Sequence, residues 1–172
     1  INDGGTIWNP GWQPTKTELD AYSCRHGLGY TILTGEKNGI RAQQELFVPR
    51  GDACEIDRLT LENKTDAPRT LDVFSYVEFC LWDAMDDSSN FQRNFSTGEV
   101  EVEPGIIYHK TEYRERRNHY AVFWSNTPVT SFDTTRDAFC GVYGGPADSQ
   151  AVRAGHCSGS IAHGWAPVGA LH

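Results

Sequence analysis

Residues 79–94, FCLWDAMDDSSNFQRN, gather forked hydrogen-bonding side chains beside an indole. Planar carboxylate, amide and guanidinium groups can read pairs of sugar hydroxyls, while the C–H face of a sugar ring rests on an aromatic ring. The same residue types are common in solvent-exposed turns, so a simple turn between two strands is the alternative. The side chains in question are Trp82, Asp83, Asp86, Asp87, Ser88, Ser89, Asn90, Gln92 and Arg93.

A second charged segment, TEYRERRNH, spans Thr111–His119. Its three arginines and His119 could hold an anion such as phosphate, because guanidinium groups match oxyanions bidentately. Two glutamates lie among them, however, and runs of mixed sign are usually solvated. We therefore interpret this segment as a surface turn whose charges neutralise one another.

The residues alone reveal no catalytic machinery. Asp86 and Asp87 are adjacent, and neighbours in an extended loop point apart, so they do not form an acid–base pair across a scissile bond. Nucleotide-binding and serine-hydrolase motifs such as the P-loop and GxSxG do not occur. Metal-ligand spacing is also missing among the histidines considered, which are His26, His109, His119, His156 and His163. The sequence thus predicts a binding loop without a metal or cofactor.

Size and charge limit the class of protein. A chain of 172 residues is expected to form one domain with a real core. Its net charge of −8 argues against nucleic acid or an anionic membrane as the main partner. No apolar run reaches the roughly 20 residues that span a bilayer. The opening at Ile1 and the ending soon after WAPVG lead us to expect an excised piece of a longer chain.

The cysteines indicate a reducing compartment. They are odd in number, scattered and without a CxxC pair, which fits free thiols in the cytoplasm better than a disulfide framework or a zinc site. We expect all five to be unpaired, namely Cys24, Cys54, Cys80, Cys140 and Cys157.

Short apolar runs separated by turn residues predict an all-β, antiparallel β-sandwich. Tyr30–Leu33, the turn TGEKNG and Ile40–Val48 indicate a hairpin. Arg69–Trp82 is apolar on both faces, which predicts an interior strand with Phe74, Val77 and Phe79 largely buried. Glu78 is expected to be a carboxylate that either faces an edge or is hydrogen-bonded. No helical period persists over three turns. The other predicted strands are Glu55–Glu62, Glu99–Glu103, Ile106–Lys110, an interior Tyr120–Trp124 and Phe139–Tyr143, with a loop over Gly144–Gly164.

Long and unusual strings resemble the amino-terminal region of bacterial cellobiose phosphorylases, in glycoside hydrolase family 94. They are SCRHGLGYT (Ser23–Thr31), NGIRA (Asn38–Ala42), VEFCLWDAMDDSSNFQRNFSTGEVEVE (Val77–Glu103), YHKTEYRERRNHYAVF (Tyr108–Phe123) and GWAPVG (Gly164–Gly169). The resemblance covers essentially the whole chain. It implies the amino-terminal β-sandwich of a homodimeric enzyme, without its first and last strands. In the family a helical linker, an (α/α)6-barrel catalytic domain and a small carboxy-terminal β piece follow it.

The resemblance also implies a reaction, the reversible and inverting phosphorolysis of cellobiose to α-glucose 1-phosphate and glucose. Phosphate is the nucleophile, no metal is needed, and the general acid is an Asp of the barrel, outside this chain, so the fragment alone should be inactive. Asn90, Gln92 and Arg93 match residues that line the acceptor-glucose end, and Asp83 matches a nearby position. The family has Asn where this chain has Asp83, which changes local hydrogen bonding because a carboxylate only accepts.

With this resemblance, the binding-site interpretation of residues 79–94 outweighs the simple turn, while Thr111–His119 keeps its structural interpretation. Two other functions stay open. One is a free-standing carbohydrate-binding module that grips glucan through an exposed, coplanar row of Trp8, Trp12 and Trp82. The other is a purely structural domain that supplies a dimer contact.

Overall fold

The computed structural model describes residues 1–79, 85, 98–113, 116–164 and 167–172. Within them the chain is built mainly from antiparallel strands, so the predicted fold class is confirmed. Two compact units follow one another, residues 1–71 and residues 72–172. In the described part of the chain, no helix is long and apolar enough to cross a membrane.

The first unit contains two antiparallel sheets. A short ladder joins β1 (Asn2–Asp3) to β2 (Thr6–Ile7). The larger sheet has the strand order β3-β4-β5-β6. Its bounds are Ala21–His26 for β3, Tyr30–Lys37 for β4, Ile40–Phe47 for β5 and Ile56–Asn63 for β6. Asn38 and Gly39 turn the predicted hairpin with φ of 52° and 76°, the two positive values that a type I′ turn requires.

The core of the first unit forms around Trp8, which is fully buried against Ile40 and Ala42. Three partly buried side chains, those of Ile1, Leu19 and Leu71, pack on this cluster, and Ile1 and Leu71 are the two ends of the unit. An ion pair closes the same unit, because Arg69 Nη2 donates to both carboxylate oxygens of Asp3 at 2.5 and 2.6 Å. Residues 66 positions apart in sequence therefore fix one compact body.

The second unit also contains two sheets. One has the order β10-β9-β8-β12 and the other the order β11-β13-β7. Gly169 lets the two approach closely, since a Cβ there would lie 2.7 Å from Cδ1 of Phe123. The strands are β7 (Ser75–Glu78), β8 (Gly98–Glu103), β9 (Ile106–Tyr113), β10 (Arg116–Trp124), β11 (Phe132–Thr135), β12 (His163–Gly164) and β13 (Pro167–Leu171).

Helical turns replace the strand predicted at Phe139–Tyr143, so that prediction was wrong. Helix α1 covers Arg136–Cys140, a 3-10 turn covers Pro146–Asp148, and α2 covers Gln150–Ala154 inside the predicted loop. Phe139 and Cys140 are consecutive and both buried. A short apolar run in the sequence fits a buried helix as well as a buried strand, so the pattern could not separate the two.

Two strands predicted for the interior lie at the outside of their described sheets. The described part of Arg69–Trp82, residues 69–79, contributes β7, and Phe74, Val77 and Phe79 are half-buried rather than largely buried. On β10, Tyr120, Val122 and Trp124 are 64%, 52% and 62% exposed. An apolar pattern reports which residues favour burial, but the order of the strands decides which of them reach the interior.

Candidate functional site

The four predicted sugar-binding residues, Asp83, Asn90, Gln92 and Arg93, lie outside the described residues. The structure describes the residues on either side of this segment. Strand β7 ends at Glu78, followed by Phe79, and β8 begins at Gly98. The described part of the site therefore consists of the residues that contact the end of β7 and the start of β8.

The end of β7 is held by hydrogen bonds to Glu78. The hydroxyl of Tyr76 donates to Glu78 Oε1 at 2.7 Å, and Arg136 Nε of α1 donates to the same oxygen at 3.2 Å. Burial and the hydrogen bond to Glu78 raise the pKa of Tyr76, whose ring stacks on Phe139 at 4.7 Å between centroids. Of the two arrangements predicted for Glu78, the hydrogen-bonded one is thus observed.

From the middle of β9, His109 contacts both residues that flank this segment, Phe79 and Gly98. Its ring is 1% exposed and stacks on Phe79, with 4.7 Å between centroids and 12° between planes. Nε2 lies against Gly98, where any Cβ would overlap it. Burial lowers the pKa of His109 to about 4, so the imidazole is neutral at pH 7. Among the described residues, Nε2 has no hydrogen-bond partner.

Sequence reasoning tested His109 only as a metal ligand and missed this role. Alternation along β9 contained the signal, because His109 is in phase with Ile107, which is fully buried. The register then pairs His109 with Val100 of β8 and with Ala121 of β10. A histidine at the centre of a buried strand face is expected to contact the segments of chain that pack against that face, here Phe79 and Gly98.

An open groove of 420 Å³ runs along β8 and β12, beginning at Gly98. Glu99 is one of two carboxylates on its wall and lies 3.6 Å from Nζ of Lys110. Carboxylates can accept hydrogen bonds from hydroxyl groups, so this wall is chemically suited to a polar ligand. Within the described ranges, no group of three or more His, Cys, Asp or Glu could hold a metal ion. The groove is lined by Gly98, Glu99, Val100, Glu101, Ala162, His163 and Gly164.

The charged segment Thr111–His119 is largely strand in its described backbone. Tyr113 pairs with Arg116, and the register shifts between Arg117 and His119. The surface turn predicted for this segment is therefore wrong for residues 111–113 and 116–119, which belong to strands β9 and β10. That its charges neutralise one another stays a prediction.

The comparisons with known proteins identify the family of this framework. A sequence model described as "Glycosyl hydrolase 94, supersandwich domain" matches residues 1–172. The chain belongs to glycosyl hydrolase family 94. It is 35% identical over 177 residues to an N,N'-diacetylchitobiose phosphorylase of Vibrio proteolyticus, covering 99% of the chain and 22% of that protein.

Two further relatives come from Paenibacillus borealis. A solabiose phosphorylase is 37% identical over 160 residues, which cover 92% of the chain and 21% of that protein. A 3-O-beta-D-glucopyranosyl-beta-D-glucuronide phosphorylase is 32% identical over 178 residues, covering 99% and 22%. The family 94 chain thus spans about a fifth of the length of these relatives.

The tryptophans bear on the alternative of a free-standing binding module. Trp8 is fully buried and cannot stand in an exposed aromatic row. Trp12 is 58% exposed, and Trp82 lies outside the described residues. The three-tryptophan platform suggested by the sequence is therefore wrong for Trp8, whose indole packs against Ile40 and Ala42 in the core of the first unit.

Proposed function

We propose that this family 94 domain is the acceptor-facing supersandwich of an inverting cellobiose phosphorylase. The observation that carries the proposal is the match of all 172 residues to the family 94 supersandwich model. The relatives named above, each a phosphorylase by its name, support the reaction class. The string FCLW followed by NFQRN and TEYRERR supports cellobiose as the disaccharide, through the resemblance described above.

In the proposed reaction, an oxygen of inorganic phosphate attacks the anomeric carbon of the non-reducing glucose. The bond from this carbon to the glycosidic oxygen breaks, and an Asp of the helical catalytic domain gives its proton to that oxygen. The products are α-glucose 1-phosphate, with inverted configuration, and glucose. Asn90, Gln92 and Arg93 of this chain bind the leaving glucose, which is the acceptor in the reverse direction.

Asp83 gives the acceptor site a different hydrogen-bonding capacity from an Asn at this position. A carboxylate accepts only, whereas an amide both donates and accepts. We propose that Asp83 favours acceptors that present a hydroxyl donor to it. The parent enzyme is further proposed to be a cytoplasmic homodimer that works without a metal or cofactor.

The decisive experiment uses the full-length protein that carries this chain. Purified enzyme is given inorganic phosphate with cellobiose, N,N'-diacetylchitobiose or 3-O-glucosyl-glucuronide, and proton NMR follows the products. We expect cellobiose to be cleaved with the highest kcat/KM, α-glucose 1-phosphate to appear first, and EDTA to leave the rate unchanged. A higher kcat/KM for another disaccharide would contradict cellobiose, and formation of β-glucose 1-phosphate would contradict inversion.

The module alternative is supported by the exposed indole of Trp12. Isothermal titration of the 172-residue chain with cellohexaose separates the two ideas. The phosphorylase proposal expects no heat of binding below millimolar concentrations of sugar. Micromolar affinity that Trp12→Ala abolishes would favour the module.

A further inference from the structure

Residues 80–97 contain every proposed acceptor-binding side chain, and the described residues that flank them are Phe79 and Gly98. The ring of His109 contacts both. Its face stacks on Phe79 at 4.7 Å, and its Nε2 edge lies against the backbone of Gly98. One buried side chain therefore contacts both of the described residues that flank residues 80–97.

The fit between His109 and Gly98 is specific in shape. Gly98 is itself buried and has no Cβ, which allows the imidazole edge to reach its Cα; any other residue there would overlap Nε2. A six-membered aromatic ring at position 109 would project further and meet the backbone of Gly98. An imidazole is thus the aromatic ring whose size suits the space between Phe79 and β8.

The polar edge of this ring is costly where it lies. His109 is 1% exposed, and its Nε2 has no hydrogen-bond partner within the described part of the chain. A purely structural core position would be filled more favourably by an aliphatic side chain such as that of Ile107. This cost indicates that the ring is present for its shape and its stacking, through which it contacts Phe79 and Gly98.

We propose that His109 is a positioning residue that holds Phe79 and Gly98 together and thereby sets the affinity of the enzyme for its acceptor sugar. The inference rests on the proposed function, since it takes the acceptor to be bound by residues between these two ends. His109 itself acts through them and is not a catalytic residue.

Steady-state kinetics of the full-length enzyme in the direction of synthesis test this inference. We expect His109→Ala to raise the KM for acceptor glucose about tenfold and to change the KM for glucose 1-phosphate less than twofold. Gly98→Ala should act similarly, because the added methyl displaces the ring. The double variant should have the same acceptor KM as His109→Ala, since the methyl at position 98 meets no ring once His109 is alanine.

Ile107→Ala is the matched control. It removes a fully buried side chain from the same face of β9, at a position whose register partners are Val102 of β8 and Phe123 of β10. We expect it to lower the melting temperature about as much as His109→Ala does and to leave the acceptor KM unchanged. If His109→Ala fails to fold, Gly98→Ala carries the same test.

The outcomes separate this inference from the function on which it rests. Equal acceptor KM values for His109→Ala and Ile107→Ala, with a raised value for Arg93→Ala, would overturn the inference alone. An unchanged KM for Arg93→Ala would overturn the proposed acceptor site instead. In that case the rate of tryptic cleavage after Arg93 decides: faster cleavage in His109→Ala than in Ile107→Ala supports the bridging role, and equal rates overturn it.

Discussion

Among single side chains, Arg93 has the chemistry best suited to two vicinal hydroxyls, because a guanidinium presents its donors in a rigid fork. Losing such a charged contact costs about 1.5–3 kcal/mol, which corresponds to about 10- to 150-fold in kcat/KM. In synthesis assays, Arg93→Ala should act mainly through the acceptor KM and leave the KM for glucose 1-phosphate within about twofold. Arg93→Lys should restore only part of the loss, since a point charge cannot reproduce the fork.

Arg58→Ala is the control for this prediction. Arg58 is exposed in the first unit and forms a surface ion pair with Glu45 at 3.2 Å, so its loss should leave both KM values unchanged. An acceptor KM within twofold of wild type for Arg93→Ala would return residues 79–94 to the simpler interpretation as a solvated turn.

Cys24 should be the most reactive described thiol. Its sulfur lies 3.3 Å from Nε2 of His26, and Oγ1 of Thr31 lies 2.9 Å from Nδ1 of the same ring. An adjacent imidazole can take the thiol proton as the sulfur attacks. We expect iodoacetamide to modify Cys24 several-fold faster than Cys54, which is also exposed. Mass spectrometry of timed digests measures both rates.

His26→Ala provides the contrast, since it should slow Cys24 to the rate of Cys54 and leave Cys54 unaffected. Cys140 and Cys157 are buried and should react only after unfolding. Burial and the nearby Asp133 raise the pKa of Cys157 to about 12, which further reduces its thiolate. Equal native rates for Cys24 and Cys54 would show that the imidazole has no influence.

The neutral His109 makes stability depend on pH. Burial lowers its folded-state pKa from 6.5 to about 4, so between these values the unfolded chain binds the proton and the folded chain does not. This contribution to the free energy of unfolding is fully present above about pH 6.5. It is lost as the pH falls from 6.5 toward 4, which lowers the free energy of unfolding by about 3 kcal/mol. Urea denaturation at several pH values should show a steeper acid loss for wild type than for His109→Ala. His156→Ala, an exposed control, should keep the wild-type slope.

At the scale of elements, β11 holds the loop that precedes β12. The carboxylate of Asp133 is fully buried and accepts hydrogen bonds from the amides and hydroxyls of Ser158 and Ser160, between 2.6 and 3.2 Å. Asp133→Asn turns one acceptor atom into a donor that faces the Ser158 amide. We expect a loss of about 1–3 kcal/mol in unfolding free energy, with faster hydrogen exchange over residues 158–162.

Asp148→Asn is the comparison at the same element scale. Asp148 forms an exposed ion pair with Arg153 at 3.2 Å, and such pairs contribute about 0–1 kcal/mol. A destabilisation by Asp133→Asn no larger than that of Asp148→Asn would mean that the loop does not depend on the buried carboxylate.

At the scale of the whole molecule, the outer strand of the larger second-unit sheet carries an apolar stripe. Tyr120, Val122 and Trp124 project from β10, the terminal strand of its described sheet. Unpaired strand edges with apolar side chains associate with other chains. We expect the isolated 172-residue chain to self-associate at high concentration in sedimentation velocity. Val122→Lys should reduce this association, whereas Tyr143→Lys, in an exposed turn, should not. A monodisperse monomer of the unmodified chain would contradict the prediction.

The sequence by itself determined the features that depend on neighbouring residues. Alternating runs and the Asn38-Gly39 turn predicted antiparallel strands and a specific hairpin, because strand period and positive-φ chemistry are local properties. The long strings predicted family 94 through their resemblance to known enzymes, and the family model matches residues 1–172. The scattered cysteines predicted free thiols, which the structure confirms for Cys24, Cys54, Cys140 and Cys157. Cys80 lies outside the described residues.

Only the tertiary structure decided which of these residues are interior. It buried Trp8, which the sequence offered as a binding surface, and left Tyr120 and Trp124 of β10 exposed. It also turned the run at Phe139 into a helix and brought His109 between Phe79 and Gly98. Burial and strand order arise from contacts between residues far apart in the chain. Because the hydrophobic effect is non-directional, an apolar residue does not specify which distant residues it packs against. A local pattern therefore predicts the element but not its neighbours.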